Sequence, residues 1–251
     1  MKNNFGIEPE ERLRSAVIRN YISTSGGIHR PVGDGEFAKF RSAYRRYLRA
    51  WLSGPRCGRW LDLGCGQGML MSLAREYGYD PVEGVDLSTE MLATASALGL
   101  KVRAADVFSE VENTETESCS VVSLFDLLEH FSKEDGFRLL KGIHRILKPG
   151  GTLLLKLPNA YTPFGFGITA NDLTHETSYT GATVLQLGRL AGFTAGEVKE
   201  VGPQLGSIAG CIRWVGWHII RIGMRVFDII ETGQARSETY TRVMLVRLQR
   251  T

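Results

Sequence analysis

The sequence has few of the cysteines that hold together small secreted or metal-binding domains. Its 251 residues include four, which are widely scattered, with no C-x-x-C pair among them. Such spacing indicates neither a disulfide framework nor a zinc site. The cysteine content is therefore typical of a protein that keeps its thiols reduced, and we expect it to be cytoplasmic.

Long apolar runs and a strong excess of charge are lacking as well. No uninterrupted apolar run has the roughly 20 residues of a transmembrane helix, and the polar segment 1–15 does not have the character of a secretory signal. A net charge of +3 does not by itself indicate a nucleic-acid partner, and we expect none. The length fits one α/β domain with appendages, which is large enough to bury a sizeable core.

Glycine, in contrast, is concentrated at one turn. The apolar run 60–63 leads into Gly64, Gly66 and Gly68, and the segment 69–77 that follows is typical of a helix. A strand, a glycine turn and a helix in this order form the first unit of a nucleotide-binding α/β sheet. Glycine lets the backbone lie against a ligand, and the free N–H groups of the helix start attract an anionic group.

Acidic residues recur near the ends of the first three predicted strands. Asp62 lies within the first strand, Asp86 follows a strand over 81–85, and Asp106 follows a strand over 101–105. Asp86 lies roughly 20 residues beyond the first glycine, where a dinucleotide-binding fold has its ribose-binding acid. Because ligands bind at the carboxyl edge of a parallel sheet, the three acids predict a ligand site there.

Helices and strands alternate along the rest of the chain. Spacing and turn signals predict helices over 88–98, 133–147 and 181–191 and strands over 121–125, 153–157, 193–201 and 239–248. We also predict a solvated acidic loop over 109–118, a turn at 148–151 and a long loop over 159–179. This order predicts an α/β domain over 59–251, with a helical insertion at about 204–234.

Residues 1–58 precede this domain, and their sequence pattern predicts an N-terminal helical extension. Pro9 and the neighbouring glutamates are typical of a helix start, and the segment 37–51 combines an aromatic face with a basic face. Two interpretations of this second helix are open. It packs on the domain with solvated charges, or it forms a lid whose arginines bind a phosphate or carboxylate of the substrate.

Another amphipathic helix is predicted over 208–231. Isoleucines and valines at three- and four-residue spacing form an apolar stripe, whereas Arg213, Arg221 and Arg225 recur on another face, with Trp214 beside them. One interpretation is a helix that packs on its own domain or on a second copy in a homodimer. The other is a helix that lies in a membrane interface, at the inner face of the membrane, with its arginines on anionic headgroups.

Several motifs, in the right order, make the chain similar to a known family. The chain resembles the class I S-adenosylmethionine-dependent methyltransferases at LDLGCGQG (61–68), GVDLS (84–88), Asp106, LLEH (127–130) and LKPGG (147–151). The resemblance covers roughly residues 58–200. It implies an α/β fold with a Rossmann-like seven-stranded sheet, an antiparallel last strand and helices on both faces. It also implies S-adenosyl-L-methionine as the cofactor.

The resemblance implies cofactor-binding roles for Asp62, Gly64, Gly66, Gly68, Asp86, Leu87, Asp106, Val107 and Phe125. In this assignment the glycines pass under the methionine and ribose parts, and Asp62 helps to hold the ammonium group. Asp86 binds both ribose hydroxyls. Asp106 accepts a hydrogen bond from the adenine amino group, with Val107 against the ring, and Phe125 or Asp126 borders the site of methyl transfer.

The segment DLLEH, residues 126–130, narrows the resemblance. It is similar to the E-x-x-E-H element of the ubiquinone-biosynthesis O-methyltransferases, in which two acids and a histidine can hold a divalent cation. Asp126, Glu129 and His130 match these positions, with Asp in place of the first Glu. Such a cation would lower the pKa of an acceptor hydroxyl. In the alternative interpretation, the segment packs behind the site and no metal is bound.

The segment 158–180 resembles methyltransferases of bacterial surface-polysaccharide biosynthesis, which have a similar proline–asparagine start and a D-x-T-H-E sequence. This resemblance implies a sugar hydroxyl as the methyl acceptor. His175 is then the natural general base, because imidazole titrates near neutral pH. Alternatively, His175 only caps or pins the loop.

These observations predict an S-adenosylmethionine-dependent O-methyltransferase that acts on a sugar or glycan hydroxyl in surface-polysaccharide biosynthesis. A quinone-type phenol or another small molecule is the alternative acceptor. From another class of protein, the alternative is a scaffold that binds S-adenosylmethionine without transferring its methyl group.

Overall fold

A central sheet organises the part of the chain that the computed structural model describes, residues 34–52, 58–170, 172–234 and 239–251. The predicted helix start at Pro9 lies outside these ranges. The strands are β1 (Arg59–Leu63), β2 (Val82–Asp86), β3 (Lys101–Ala104), β4 (Cys119–Phe125), β5 (Leu147–Pro158), β6 (Ala195–Glu200) and β7 (Val243–Gln249).

The order of these strands in the seven-stranded sheet is β3-β2-β1-β4-β5-β7-β6. The pairs from β3 to β5 are parallel, whereas β7 is antiparallel to both β5 and β6. The predicted fold, with its antiparallel last strand, is therefore confirmed. Because β1, β2 and β3 run in the same direction, their carboxyl ends meet at one edge, where Asp86 ends β2 and Asp106 follows β3.

Helices lie between the strands, as the sequence predicted. They are α1 (Asp34–Leu48), α2 (Met69–Glu76), α3 (Thr89–Ala97), α4 (Val107–Asn113), α5 (Lys133–Ile146), α6 (Gly165–Ala170), α7 (Gly181–Leu190) and α8 (Ile208–Thr232), with a 3-10 turn at Leu128–His130. Local side chains fix several starts. Ser88 accepts a hydrogen bond from the Met91 N–H at the start of α3, and Thr180 and Thr183 form a capping box at the start of α7.

Two predicted loops contain helices, and one of these helices is α6, within the loop predicted over 159–179. In the other, the solvated loop predicted over 109–118, residues 107–113 form α4, whereas residues 114–118 belong to no helix or strand. Asp106 caps this helix by accepting hydrogen bonds from the N–H groups of Phe108 and Ser109. Val107 and Val111 are buried one turn apart, which gives the segment an apolar side despite its acidic composition. The cap at Asp106 and the burial of Val107 and Val111 stabilise a helix here, although most residues of the segment are polar.

The predicted turn at 148–151 is also wrong in part. The helix does stop at Ile146, but Leu147 has extended backbone and already belongs to β5. The pairing of β4 with β5 shifts register between Cys119 and Val121, and Gly150 has a φ of 77°. An irregular start of the strand thus accommodates the residues that we assigned to a turn.

The core consists of two clusters, one on each face of the sheet. Alternate residues of β5 separate between them, because successive side chains of a strand point to opposite faces. Leu153 and Leu155 join the cluster that contains Ile143 of α5, whereas Leu154 joins the cluster that contains Leu48 of α1 and Met71 of α2. Helices therefore cover both faces, as predicted.

The basic face of α1 is bonded within the protein. Arg41 and Arg45 form ion pairs with Glu76 of α2, and Arg46 donates a hydrogen bond to the Leu205 carbonyl oxygen. These contacts fit the interpretation of α1 as a packed helix. Its role as a lid, and the division of the chain at residue 58, stay predictions.

Candidate functional site

The glycine turn between β1 and α2 leaves open space at one position. All three glycines have positive φ, where L side chains are disfavoured. A Cβ added to Gly68 would overlap the Leu100 side chain, and one added to Gly64 would lie 3.1 Å from Leu127. A Cβ added to Gly66 would meet no described atom within 4 Å. Gly64 and Gly68 therefore allow close packing within the protein, whereas the Gly66 backbone faces a space that a ligand can occupy.

Asp86 lies beside this space. Its Oδ2 accepts a hydrogen bond of 2.8 Å from the Gly66 N–H, and its Oδ1 accepts one of 2.8 Å from the Ser88 N–H. Burial raises the pKa of this carboxyl group. Each carboxylate oxygen can accept more than one hydrogen bond. Asp86 is thus held in place by the backbone and keeps acceptor capacity for ligand hydroxyls.

Asp62 is buried inside the sheet between two neighbouring strands. Its Oδ1 accepts a hydrogen bond of 2.5 Å from the Ser123 hydroxyl of β4, which in turn accepts one of 2.8 Å from the Trp60 indole N–H. Burial raises the pKa of Asp62 from 3.8 to about 7, against the lowering effect of Ser123. The carboxyl group therefore changes charge near neutral pH.

The other predicted cofactor residues lie around the same edge. Asp106 caps α4 through Oδ1, Val107 is buried below it, and Leu87 is exposed after β2. Phe125 ends β4, and its ring centroid lies 5.6 Å from that of Tyr44 on α1. The aromatic face of α1 therefore covers the carboxyl end of β4.

A second group of side chains joins the 3-10 turn to the long loop that follows β5. The Glu129 carbonyl oxygen accepts hydrogen bonds from the N–H groups of Glu176 and Thr177, at 2.9 and 3.0 Å. The Thr177 hydroxyl donates to the Phe131 carbonyl oxygen at 2.7 Å. These bonds bring His175 next to the turn, with its ring centroid 4.8 Å from that of His130.

The hydrogen bonds of the two rings define what each can do. His175 Nδ1 lies 3.0 Å from the Thr169 carbonyl oxygen. A carbonyl only accepts, so Nδ1 carries the hydrogen, and in the neutral ring Nε2 is an acceptor. His130 Nδ1 lies 2.7 Å from the Thr174 hydroxyl, which donates to Asp172 Oδ1 at 2.5 Å.

Glu129 is the unusual member of this group. Both of its carboxylate oxygens are buried and have no hydrogen-bond partner within the described residues. Its Oε1 lies 3.9 Å from His175 Nε2. Burial raises the pKa of Glu129 well above its usual value, and the nearby Asp126 adds to this. A buried carboxyl group without partners is suited to a proton, a cation or a polar ligand.

The predicted metal-binding set is not the set that the fold brings together. Glu129, His130 and His175 each offer a ligand atom within 4.8 Å of the others. Asp126, the first predicted ligand, instead forms an ion pair with Lys156 of the adjacent strand β5. Burial opposes the charge of Lys156, but Asp126 raises its pKa. This pairing explains why Asp126 is not part of the cluster.

Sequence reasoning missed three polar residues of the site. Asp172 and Thr174 lie within the D-x-T-H-E sequence that selected His175, so the pattern could have indicated them. Lys156 interrupts the buried run of β5, and a lone lysine in a buried strand is a signal for an ion pair.

Comparison with known proteins identifies the family. The chain matches the family model for a methyltransferase domain over residues 36–198, well over half of its length. The chain belongs to the class I S-adenosylmethionine-dependent methyltransferases. The matched range includes β1 to β5, the glycine turn, Asp86 and the acid–histidine cluster.

Curated relatives of this methyltransferase share about half of its length. The ubiquinone biosynthesis O-methyltransferase of Xanthomonas oryzae pv. oryzae is 33% identical over 123 residues, which cover 47% of this chain and 48% of the relative. The mitochondrial ubiquinone biosynthesis O-methyltransferase of Candida albicans is 36% identical over 106 residues, 39% of this chain and 32% of the relative. The matched part of the chain thus spans about half, or less, of the length of these relatives.

Solved structures show the same fold. A S-adenosylmethionine-dependent methyltransferase from Archaeoglobus fulgidus superimposes with a TM-score of 0.62 at 18% identity, over 84% of this chain and 94% of its own. Phosphoethanolamine N-methyltransferase 2 from Haemonchus contortus, in complex with S-adenosyl-L-methionine, gives a TM-score of 0.61 at 18% identity, over 97% of this chain and 61% of its own.

The donor side of the site fits S-adenosylmethionine. A Cβ at Gly66 would enter open space, so the backbone there can lie against a ligand. Asp86, beside it, has the acceptor capacity that two ribose hydroxyls require. Gly66 and Asp86 would therefore hold the nucleoside part of the cofactor.

Proposed function

We propose that this protein transfers the methyl group of S-adenosylmethionine to a hydroxyl oxygen of a sugar or glycan in surface-polysaccharide biosynthesis. The observation that carries the proposal is the buried pair of His175 and Glu129. An oxygen acceptor loses its proton during the reaction and is helped by a positioned base. The resemblance of residues 172–176 to polysaccharide methyltransferases supports a glycan as the acceptor.

The donor and the base belong to neighbouring parts of the structure. Leu127, which lies between β4 and Glu129, packs against the glycine turn at Gly64. The Gly66 and Ser88 N–H groups fix Asp86 before any ligand binds, so little order is lost when ribose hydroxyls bind it. When bound, S-adenosylmethionine supplies a methyl group on a positively charged sulfur.

His175 acts as the base through Nε2. The Thr169 carbonyl oxygen holds the ring by its Nδ1–H, and Nε2 then accepts the proton of the acceptor hydroxyl. The resulting imidazolium charge lies beside the Glu129 carboxyl group, which stabilises this charge when it is ionised. Both side chains are buried, so water screens this interaction only weakly.

A quinone-type phenol is the alternative acceptor. The X. oryzae relative is named as a ubiquinone biosynthesis O-methyltransferase, which supports this choice. A phenol ionises near pH 10 and loses its proton more readily than a sugar hydroxyl. Phenol methylation should therefore depend less on His175 than glycan methylation does.

A divalent cation at the cluster is a second candidate for activating the acceptor. Glu129, His130 and His175 fit a cation, because the Glu129 oxygens have no hydrogen-bond partner in the part of the chain that the structure describes and the three ligand atoms converge. Bound there, a cation would polarise the acceptor oxygen. In this case His175 would act as a ligand rather than as the base.

The test combines binding with turnover. Calorimetric titration with S-adenosylmethionine should show binding, and methyl-labelled donor should then label nucleotide sugars or lipid-linked sugars. His175→Ala should lower glycan labelling roughly 100-fold or more with unchanged donor affinity, whereas the control His218→Ala should keep full activity. Chelator treatment and metal analysis separate the two modes of activation, since activity that survives complete metal removal excludes the cation.

Other outcomes favour the alternatives. Labelling of phenols but not of sugars would replace the glycan by a phenolic acceptor. Binding of the donor with no labelled acceptor would favour the scaffold. Absence of donor binding in well-folded protein would contradict the proposal as a whole.

A further inference from the structure

The helix α8 packs on the rest of the protein through its polar side. Asp228 is buried and accepts hydrogen bonds from the Tyr161 hydroxyl at 3.0 Å and the Tyr240 hydroxyl at 2.7 Å. About two turns earlier on the helix, Arg221 Nη1 lies 3.6 Å from Glu200 Oε2 of β6. Trp217 continues the same side and packs against Gly202. Asp228, Arg221 and Trp217 therefore lie on the side of α8 that faces the rest of the protein.

The opposite side of α8 is apolar and faces outward. Its isoleucine and valine side chains are between 48% and 84% exposed: Ile208, Ile212, Val215, Ile219, Ile222, Val226 and Ile230. At about 100° per residue they fall within a sector of about 80°, opposite to Asp228. A helix of a globular domain normally turns its apolar stripe to the core and its polar side to water. An apolar patch of this length on the outside indicates an interaction surface.

Charges flank this apolar side instead of interrupting it. Arg213 and Arg225 are exposed and lie on either side of the isoleucine stripe, about 140° and 100° from its centre. Exposed Ile220 and Phe227 lie between the stripe and Arg213, and exposed Ile229 lies between the stripe and Arg225. Trp214 lies beside the Arg225 margin, with its ring centroid 3.8 Å from that of His218. Within the described residues, no helix is both long and apolar enough to cross a membrane.

We propose that α8 docks this protein on an anionic membrane surface, with the isoleucine stripe in the headgroup–acyl boundary and Arg213 and Arg225 on lipid phosphates. An apolar face bordered by arginines and tryptophan is the pattern of a helix that lies in the interface. Long arginine side chains reach the headgroups while their stems stay on apolar surface. Anionic lipid is the partner whose charge complements Arg213 and Arg225, whereas the exposed acid Glu231 lies five turns from Arg213, at the end of the helix.

The structure changes one part of the predicted surface. Arg221, which we grouped with Arg213 and Arg225, lies on the inward side with Glu200 and does not contact lipid. The docking is also linked to the candidate site. Tyr161, which binds Asp228, belongs to the loop after β5 that contains His175. Because Asp228 lies on the inward side of α8, docking through the opposite side would place the helix between this loop and the lipid, whatever the methyl acceptor is.

Flotation with vesicles tests the proposal on the full chain. Vesicles of phosphatidylcholine with about one quarter phosphatidylglycerol should carry most of the protein to the top of a gradient at low salt. Flotation should fall several-fold at about 0.5 M salt, since salt screens the arginine contacts. Vesicles of phosphatidylcholine alone should carry several-fold less protein.

Variants separate the apolar and the basic contributions. Ile219→Glu should reduce flotation at least about tenfold, whereas Leu190→Glu on α7, an equally exposed position at 66%, should float like the wild type. The double change Arg213→Glu and Arg225→Glu should abolish the preference for anionic vesicles, and Arg189→Glu, an exposed control on α7, should keep it. Neither set changes a buried residue, so the fold should persist.

Two results would overturn the proposal. In one, the wild-type protein stays at the bottom with anionic vesicles at both salt concentrations. In the other, sedimentation shows a dimer that Ile219→Glu dissociates and that anionic vesicles leave intact, which would make α8 a subunit interface.

Discussion

Glu129 Oε1 lies 3.9 Å from His175 Nε2, in a buried pair formed by a 3-10 turn and a loop from a distant part of the chain. The contact depends on the backbone, because the Glu129 carbonyl oxygen accepts from the two residues that follow His175. Neither Glu129 carboxylate oxygen has a hydrogen-bond partner among the described residues, and Oε1 lies next to the imidazole nitrogen. When it is ionised, the Glu129 carboxyl group can therefore stabilise a positive charge on the His175 ring.

Glu129→Gln should lower methyl transfer by roughly 10- to 100-fold, because the amide keeps the shape of the side chain but does not stabilise an imidazolium. The affinity for S-adenosylmethionine should change less than about twofold. Initial rates with labelled donor and calorimetric titration give the two quantities. Glu134→Gln, at an exposed position of α5, is the matched control. A rate equal to that of the wild type would remove Glu129 from the reaction.

Two glycines of the same turn should respond differently to alanine. Gly66→Ala places a methyl group in the open space and should weaken donor binding at least about tenfold, with a loss of stability of roughly 1–3 kcal/mol from the positive φ. Gly68→Ala adds an overlap with Leu100 to the same strain and should cost several kcal/mol in all. Urea unfolding and calorimetry separate the effects. Normal donor affinity in Gly66→Ala would show that the donor does not cross Gly66.

The order of the elements could be predicted because its signals are local. Alternation of apolar residues, the glycine turn and caps such as Ser88 are read within a few neighbouring residues. The position of Asp86 and Asp106 on one edge of the sheet could be predicted as well, since parallel strands bring their carboxyl ends together. The loop predicted at 109–118 was wrong over residues 109–113, because the polar composition was weighed above the spacing of Val107 and Val111.

The acid–histidine cluster could be predicted only in part, because tertiary contacts complete it. Spacing along the chain matched Asp126 with Glu129 and His130, but it does not show that Lys156 of the adjacent strand pairs with Asp126. Nor does it show that a loop after β5 brings His175 to the cluster. The inward side of α8 is a similar case, since periodicity separates two faces of a helix but does not tell which one packs.

Asp62 should make the stability of the fold depend on pH. Its pKa is raised from 3.8 to about 7 by burial, so the folded state binds more protons than the unfolded state between these values. The stabilisation is full below about pH 4 and is lost as the pH rises through about 7. In Asp62→Asn the group does not titrate. The free energy of unfolding of the wild type, relative to this variant, should therefore fall by up to about 1.4 kcal/mol per pH unit over this range. A constant difference would place the pKa of Asp62 outside it.

Asp228 should hold α8 and the loop after β5 together. In Asp228→Ala the hydroxyls of Tyr161 and Tyr240 lose their acceptor, which should cost about 1–3 kcal/mol of stability. Hydrogen exchange should become faster in residues 208–232 and in the loop that starts at Asn159, because both are fixed through the same carboxylate. Glu231→Ala, an exposed acid three positions along α8, should leave stability within about 0.5 kcal/mol and exchange unchanged. If both variants exchange alike, the ion pair of Arg221 with Glu200, rather than Asp228, holds the helix in place.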